Sequence, residues 1–430
     1  MDAKSNQHVR PQRQHRAKPH GHHRDRFWKV HLYVHRVRSW IGSNPVFEDV
    51  TLVDAMKERG LLPLQRRLPA LMIGSIEMPR ERARRPLMEA YAGKQFVGID
   101  LHRRRTVIVR ITEAGEVLEA VRIVNDVERL ASVMARAGQC PEVVLEATYG
   151  WYWAVDALQA GGANVHLAHP LGVKAFEYRR VKNDVRDAQD LADLLRMGRL
   201  PEAWIAPPPT RELRELVRHR AKLVGLRSHC KAEVHAVLAK CGVQVLMSDL
   251  FGLAGTELLD RLELPAPYAA RIASLRRLMD DLDFEINLFA GIIGGRMAHE
   301  PGYTAVQKIP GIGPTLAAVL VAEIGDITRF ASASKLTCWA GLTPKHHESD
   351  THVRRGRITK QGSRLAGWAA IESVKTISKT SEVGVLRERV ADRRGRNIGS
   401  VAAGRRQLEL VFYALRDGHV RALEHLPAAA

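Results

Sequence analysis

The spacing of apolar residues changes character several times along the chain. Phe96-Val97-Gly98-Ile99-Asp100-Leu101-His102 is a short apolar run ending in an acid, which predicts a buried strand. Thr106 to Ile111 is β-branched and predicts a second strand. Glu113-Ala114-Gly115-Glu116 is a turn signal, and Val117 to Val124 predicts a third strand. Strands joined by such short turns make an antiparallel meander. A helical stretch over 126–138 follows, then Val143-Val144-Leu145-Glu146, another short buried strand ending in an acid. Residues 151–160 read as a helix, Asn164 to Ala168 as a strand, and 184–197 as an amphipathic helix. The order βββαβαβα predicts an α/β domain with a mixed sheet and helices on its faces.

Beyond this the period becomes helical. Over 211–242, Leu213, Leu216, Leu223, Leu226, Val234 and Leu238 form an apolar stripe on a charged helix. A second long helical stretch covers 268–298, with Gly291, Gly294 and Gly295 expected to loosen its end. Together they predict a mostly α-helical connector, a coiled coil or an intersubunit element. Ile309-Pro310-Gly311-Ile312-Gly313-Pro314 is a turn, Thr315 to Ile324 an apolar helix, and the final hundred residues read as mostly helical and basic. The predicted organisation is a basic extension over 1–92, a sheet domain over 94–205, the connector over 211–298 and a C-terminal domain over 303–420.

Composition narrows the function. The 430 residues carry a formal net charge of +19, which favours a polyanionic partner, most commonly nucleic acid. Charge alone does not separate DNA from RNA. No apolar run approaches the ~18 residues of a membrane span. The N-terminus is polar and basic without an apolar signal core, so a cytoplasmic protein is expected. The four cysteines, Cys140, Cys230, Cys241 and Cys338, form no CxxC pair and indicate neither a zinc ribbon nor a disulfide framework. His20, His22 and His23 lie in a basic arm without a second cluster at ligand spacing, and a solvated arm is the better account. Met88 closely precedes the first strand. The segment before it reads either as a nucleic-acid arm or as an over-extended reading frame.

The candidate chemistry begins with Asp100, Glu146, Asp184 and Asp187. Two of these acids end apolar strands, where a lone buried carboxylate is costly and a cation is expected. The other two lie three apart on one predicted helix and share a face. Oxygen ligands from two strands and a helix suit a hard cation such as Mg²⁺, and paired ions can clamp an in-line phosphoryl transfer. The same acids also fit solvated strand ends and a charged helix N-terminus, and spacing alone does not decide between these accounts. Further on, Lys308 to Ala317 has the look of a helix-hairpin-helix turn, whose backbone N–H groups around Gly311 and Gly313 could face a phosphate. A tight turn between core helices is the alternative. Ser349 precedes a basic run containing Arg354, Arg355, Arg357, Lys360 and Arg364. A serine hydroxyl among guanidinium groups can attack a phosphodiester. Taken alone, an ordinary loop serine beside phosphate-contacting arginines explains the same residues.

Three segments, Gly98 to His102, Leu145 to Gly150 and Lys182 to Ala192, resemble the DEDD transposases of the insertion-sequence 110 family, which are related to Piv invertases. The resemblance implies an RNase H/RuvC-like domain in which Asp100, Glu146, Asp184 and Asp187 hold the metal. The block from Trp339 through Arg364 resembles the C-terminal transposase domain of the same family. By spacing, Ser349 matches its catalytic serine and Ser363 is the fallback. The family has Gly after that serine where this chain has Asp350. The resemblance further implies DNA element ends and targets as substrates, a structured guide RNA and a homo-oligomer, dimer or tetramer, with no membrane association. Two rivals remain: a junction-resolving nuclease using the acids alone, and an inactive nucleic-acid-binding remnant.

Overall fold

The computed structural model describes residues 91–176 and 183–424. The basic extension, with His20, His22 and His23, lies almost wholly outside these residues.

The first region is a six-stranded mixed sheet in the order β3-β2-β1-β4-β5-β6. Its strands are β1 (Phe96–Leu101), β2 (Arg105–Ile111), β3 (Val117–Val124), β4 (Glu142–Glu146), β5 (Asn164–Ala168) and β6 (Glu202–Ala203). β1, β2 and β3 form the expected antiparallel meander. β4 and β5 run parallel to β1. The short β6, antiparallel to β5, had no sequence signal.

Helices α1 (Val127–Met134) and α2 (Trp151–Ala160) cover one face. Short α3 (Pro170–Val173) precedes α4 (Asp184–Arg196), which covers the other. The period-2 alternation of the strands sorts the side chains. Val97, Ile99, Leu101, Val143 and Leu145 pack toward α1 and α2. Phe96 and Val144 pack toward α4. Asp100 and Glu146 share the parity of these two residues, so they fall on the α4 side.

Two long helices follow, α5 (Pro208–Lys240) and α7 (Ala266–Met297), with α6 (Leu253–Arg261) between them. Their ion pairs run in opposite order, Glu212 with Arg296, Arg227 with Asp283 and Glu233 with Arg271, so the pair is antiparallel. The predicted stripe holds for Leu213, Leu223, Val234 and Leu238, whereas Leu226 is exposed and Val217 and Val237 are buried. Gly291, Gly294 and Gly295 do not loosen α7, which runs unbroken to Met297. Ile293 and Met297 are buried in the C-terminal core and hold the helix through its glycines.

That core is built around α9 (Pro314–Ile324), whose residues from Ala317 onward are all buried. Short α8 (Tyr303–Gln307) precedes it. Around it lie α10 (Ala333–Trp339), α11 (Arg364–Glu372), α12 (Glu382–Arg394) and α13 (Arg396–Asp417), with α14 (Arg421–Glu424) at the end. The region is not helical throughout. A hairpin of β7 (Pro344–Ser349) and β8 (His352–Ile358) interrupts it. β7 is exposed along its whole length and β8 is largely charged, so neither a strand period nor an apolar face marked the hairpin.

The sheet and the C-terminal helices meet at Trp204, just after β6. A Cβ on Gly325 would lie 2.7 Å from the Trp204 ring. The Arg329 guanidinium sits among the rings of Trp204, Phe330 and Trp339, at 4.5, 4.2 and 4.7 Å from their centroids. Burial there, with repulsion from Arg214, lowers its pKa to about 10. Among the described residues no helix is long and apolar enough to cross a membrane.

Candidate functional site

Asp100 and Asp184 come together because one glycine lets a helix touch a strand. A Cβ on Gly98 would fall 1.8 Å from the Ala188 carbonyl oxygen. Only glycine allows α4 to lie directly on β1, and Ala188 and Ala192 complete the contact with small side chains. The helix is started locally. The Asn183 side chain accepts a hydrogen bond from the Val185 N–H at 3.1 Å, and its carbonyl accepts one from the Asp187 N–H at 2.9 Å. Asp184 and Asp187 therefore occupy the first turn, where carboxylates suit the helix dipole.

Asp100 is the penultimate residue of β1, and Glu146 ends β4 on the adjacent parallel strand, each one residue past the Ile99–Leu145 pair. All four acids are half-buried. Asp100 and Asp184 come together with a residue that the sequence analysis passed over. Nε2 of His102 lies 2.9 Å from Oδ2 of Asp100 and 3.6 Å from Oδ2 of Asp184. These three form the tight group of potential ligand atoms, which Glu146 and Asp187 do not join at that spacing. His102 is two residues after Asp100, so the strand period itself puts both on one side. That signal was available in the sequence. The backbone around it is pinned: the Asn125 amide donates to the His102 carbonyl at 2.7 Å, the His102 N–H donates to the Arg105 carbonyl at 3.1 Å, and Thr106 donates to Asn125 at 2.7 Å.

Ser349 is not a loop residue. It is the last residue of β7, exposed, and paired with His352 across a two-residue turn. Asp350, the first turn residue, has φ +51°. The left-handed region favours Gly, and Asp and Asn are the side chains that tolerate it best. Arg354 and Arg357 on β8 are exposed, as are Lys360 and Arg364. Arg355 lies on β8 opposite His346. Among the described residues this hairpin forms no extensive packing with the acid-bearing elements.

Two other sequence candidates have structural roles. Ser363 caps α11, accepting from the Ala366 N–H at 3.1 Å, and donates to Glu323 at 2.8 Å. Glu323 is buried at 2% exposure and also holds Arg218 at 2.6 and 2.9 Å. Burial raises its carboxyl pKa, but Arg218, Ser363 and Arg214 more than reverse this and hold it below 4.5. Gly311 has φ +84°, and a Cβ there would meet the Ser373 carbonyl at 2.0 Å, so it faces the core. Gly313 precedes α9 at the surface, where a Cβ would meet nothing within 4 Å.

Two family models match the chain. A family model for DEDD transposases of the IS110 type matches residues 97–242. A second, described as "Transposase IS116/IS110/IS902 family", matches residues 303–389. The two together span more than half of the chain. A Pseudomonas aeruginosa protein named "Probable family 20 transposase" is 27% identical over 279 residues, covering 61% of this chain and 80% of its own length. A Coxiella burnetii protein named "Transposase for insertion sequence element IS1111A" is 23% identical over 353 residues, covering 75% and 89%. The fold and these similarities define a DNA transposase. The chain belongs to the IS110/IS116/IS902 family of insertion-sequence transposases.

Proposed function

We propose that this transposase cuts and rejoins DNA at the ends of an insertion sequence, using a metal-supported acidic site and the Ser349 hydroxyl. The observation that carries this reading is the meeting of Asp100 and Asp184 where α4 rests on Gly98, at the edge where Glu146 also ends its strand. An RNase H/RuvC-like character for the sheet region is supported by the order β3-β2-β1-β4-β5 and by acids at the ends of the paired parallel strands.

The donor set fits a divalent ion. The carboxylate oxygens of Asp100 on β1 and Asp184 on α4 approach one point beside His102, a donor set suited to a divalent ion. Asp100, Glu146, Asp184 and Asp187 would hold Mg²⁺. When bound, it supplies positive charge for the phosphate oxygens of the reacting DNA. In the serine step, Ser349 Oγ forms a bond to phosphorus and a deoxyribose oxygen leaves with a proton, so one phosphodiester replaces another. Attack by a second DNA hydroxyl reverses the exchange and restores the serine. Arg354, two residues along β8 from the partner of Ser349, and Arg357 further along the same strand would contact the DNA phosphates.

Because the hairpin and the acids lie apart within the chain, the two parts would meet through a second protomer or a change of arrangement on DNA. Exposed Phe284 and Leu288 on α7 leave apolar surface for a homo-oligomeric contact. The net charge of +19 leaves capacity for a structured guide RNA beside DNA, bound through shape and backbone. The helix-hairpin-helix turn would contribute through the exposed start of α9 at Gly313, while Gly311 serves packing.

A strand-transfer assay tests this, with the full chain, RNA from the element's flanks, DNA ends and Mg²⁺. A protein–DNA covalent adduct that disappears in Ser349→Ala supports the serine. Cleavage that persists in Ser349→Ala and vanishes in Asp100→Asn would instead identify a nuclease working through the acids alone.

A further inference from the structure

We infer that His102 is a direct ligand of the divalent ion at the Asp100–Asp184 site, and that its nitrogen makes the site discriminate transition-metal dications from Mg²⁺. This rests on the proposed metal site and adds to it a ligand of a different chemical kind.

The first argument is the separation of the donor atoms. Ligands to one cation at about 2.1 Å stand ~3.0 Å apart when they subtend 90° and ~3.6 Å apart at 120°. Nε2 of His102 lies 2.9 Å from Asp100 Oδ2 and 3.6 Å from Asp184 Oδ2. One ion at ordinary ligand distance satisfies both separations without moving any of the three side chains far.

The second argument is orientation. A plain His–Asp ion pair would align an imidazole N–H on a carboxylate oxygen. Nε2 of His102 is shielded from solvent and is not in hydrogen-bonding alignment, although Asp100 is within reach. A lone pair directed at a shared cation explains a close approach without alignment. The main chain is held for that purpose by Asn125, Arg105 and Thr106, so the ring is positioned before any ion arrives.

The consequence is metal choice. Carboxylate oxygens alone suit Mg²⁺, which binds nitrogen poorly. An imidazole ligand shifts preference toward Mn²⁺ and later transition metals. Because His102 follows the last residue of β1 and stands two residues after Asp100, this ligand needs only a residue type at that position and no change of fold.

The test uses the full-length protein and Mn²⁺ as the probe. Pulsed electron paramagnetic resonance reads ¹⁴N coupling to the bound ion, and calorimetry reads Mn²⁺ and Mg²⁺ affinity. Wild type is expected to show ¹⁴N coupling that His102→Gln and His102→Ala lose. Mn²⁺ affinity should fall about tenfold or more in both variants, with Mg²⁺ affinity changed by less than about threefold. His102→Gln keeps a polar side chain in case the alanine variant folds poorly. Mn²⁺ bound in an Asp100-dependent way but without ¹⁴N coupling overturns the histidine ligand and leaves the acidic site standing. Coupling that survives both substitutions comes from other histidines and also overturns it. Mn²⁺ binding that is absent, or indifferent to Asp100→Asn, overturns the acidic site and this inference together.

Discussion

The Ser363 hydroxyl stands 2.8 Å from Oε2 of Glu323, a carboxylate buried in the C-terminal core. The same oxygen caps α11 by accepting from the Ala366 N–H. Both hydrogen-bonding roles of this serine are taken, which separates it from exposed Ser349. Ser363→Ala is therefore expected to cost about 1–2 kcal/mol, the sum of a lost cap and a lost bond to a charged acceptor. Denaturant unfolding measures this. Adduct formation per folded molecule should remain near wild type, while Ser349→Ala should show the reverse pattern. Loss of adduct in Ser363→Ala at unchanged stability would move the nucleophile to Ser363.

Glu323 also sets a pH dependence. Its carboxyl is held below 4.5 because Arg218, Ser363 and Arg214 outweigh the effect of burial. A depressed folded pKa contributes stability that is full above the unfolded value and is lost as pH falls through the folded value. Glu323→Gln should thus lower stability by about 2 kcal/mol at neutral pH. The difference from wild type should shrink as the pH drops below 4.5. Unfolding curves of both proteins from pH 7 to pH 3 check the sign. A gap that widens on acidification would contradict it.

Gly98 links packing to the metal site. A Cβ there would lie 1.8 Å from the Ala188 carbonyl, a backbone atom that cannot rotate away. Gly98→Ala must push α4 off β1 and carry Asp184 away from Asp100. The expected cost is about 2–3 kcal/mol, as for other overpacked cores. The thermal shift produced by saturating Mn²⁺ should fall with it. A folded Gly98→Ala protein with an unchanged metal-induced shift would show that the helix position does not set the site.

The elements that bury a face were legible in the chain. β1, β2 and β4 are β-branched runs between turn signals, and the acids near the ends of β1 and β4 stood out through the family resemblance of their segments, since spacing alone left solvated strand ends as an equal account. Parity then places Asp100 and Glu146 on the α4 side with no tertiary information. His102 obeys the same parity but lies past the end of the apolar run, where the eye stops at the acid. The β7–β8 hairpin gave no periodic signal, because strands exposed on both faces need no alternation. Gly291, Gly294 and Gly295 misled in the other direction. Helix propensity disfavours them, yet Ile293 and Met297 are anchored in the C-terminal core, and tertiary burial outweighs that local cost. Ser363 could not be told from Ser349 by composition, since its role depends on Glu323, forty residues away in sequence.

Asp350 follows Ser349 at φ +51°, in a two-residue turn whose partners are Ser349 and His352. The family resemblance of this segment implies Gly at this place, a residue that the left-handed backbone would accept most easily. A left-handed residue costs about 1–2 kcal/mol with most side chains, less with Asp, and least with Gly. The carboxylate also adds negative charge beside a hydroxyl that is expected to approach phosphate. Asp350→Gly therefore acts twice. The hairpin amides should exchange about fivefold more slowly with solvent, corresponding to ~1 kcal/mol of local stability. DNA affinity at about 0.1 M salt should rise a few-fold as one repulsive charge is removed. Adduct formation should rise with it. Asp350→Asn separates the two effects, because it removes the charge and keeps a side chain that tolerates the left-handed turn. It should match Asp350→Gly in DNA affinity but not in amide exchange. If both substitutions reduce adduct formation, the carboxylate contributes to the chemistry of the hairpin, and Asp350 would be a functional replacement for glycine rather than a tolerated one.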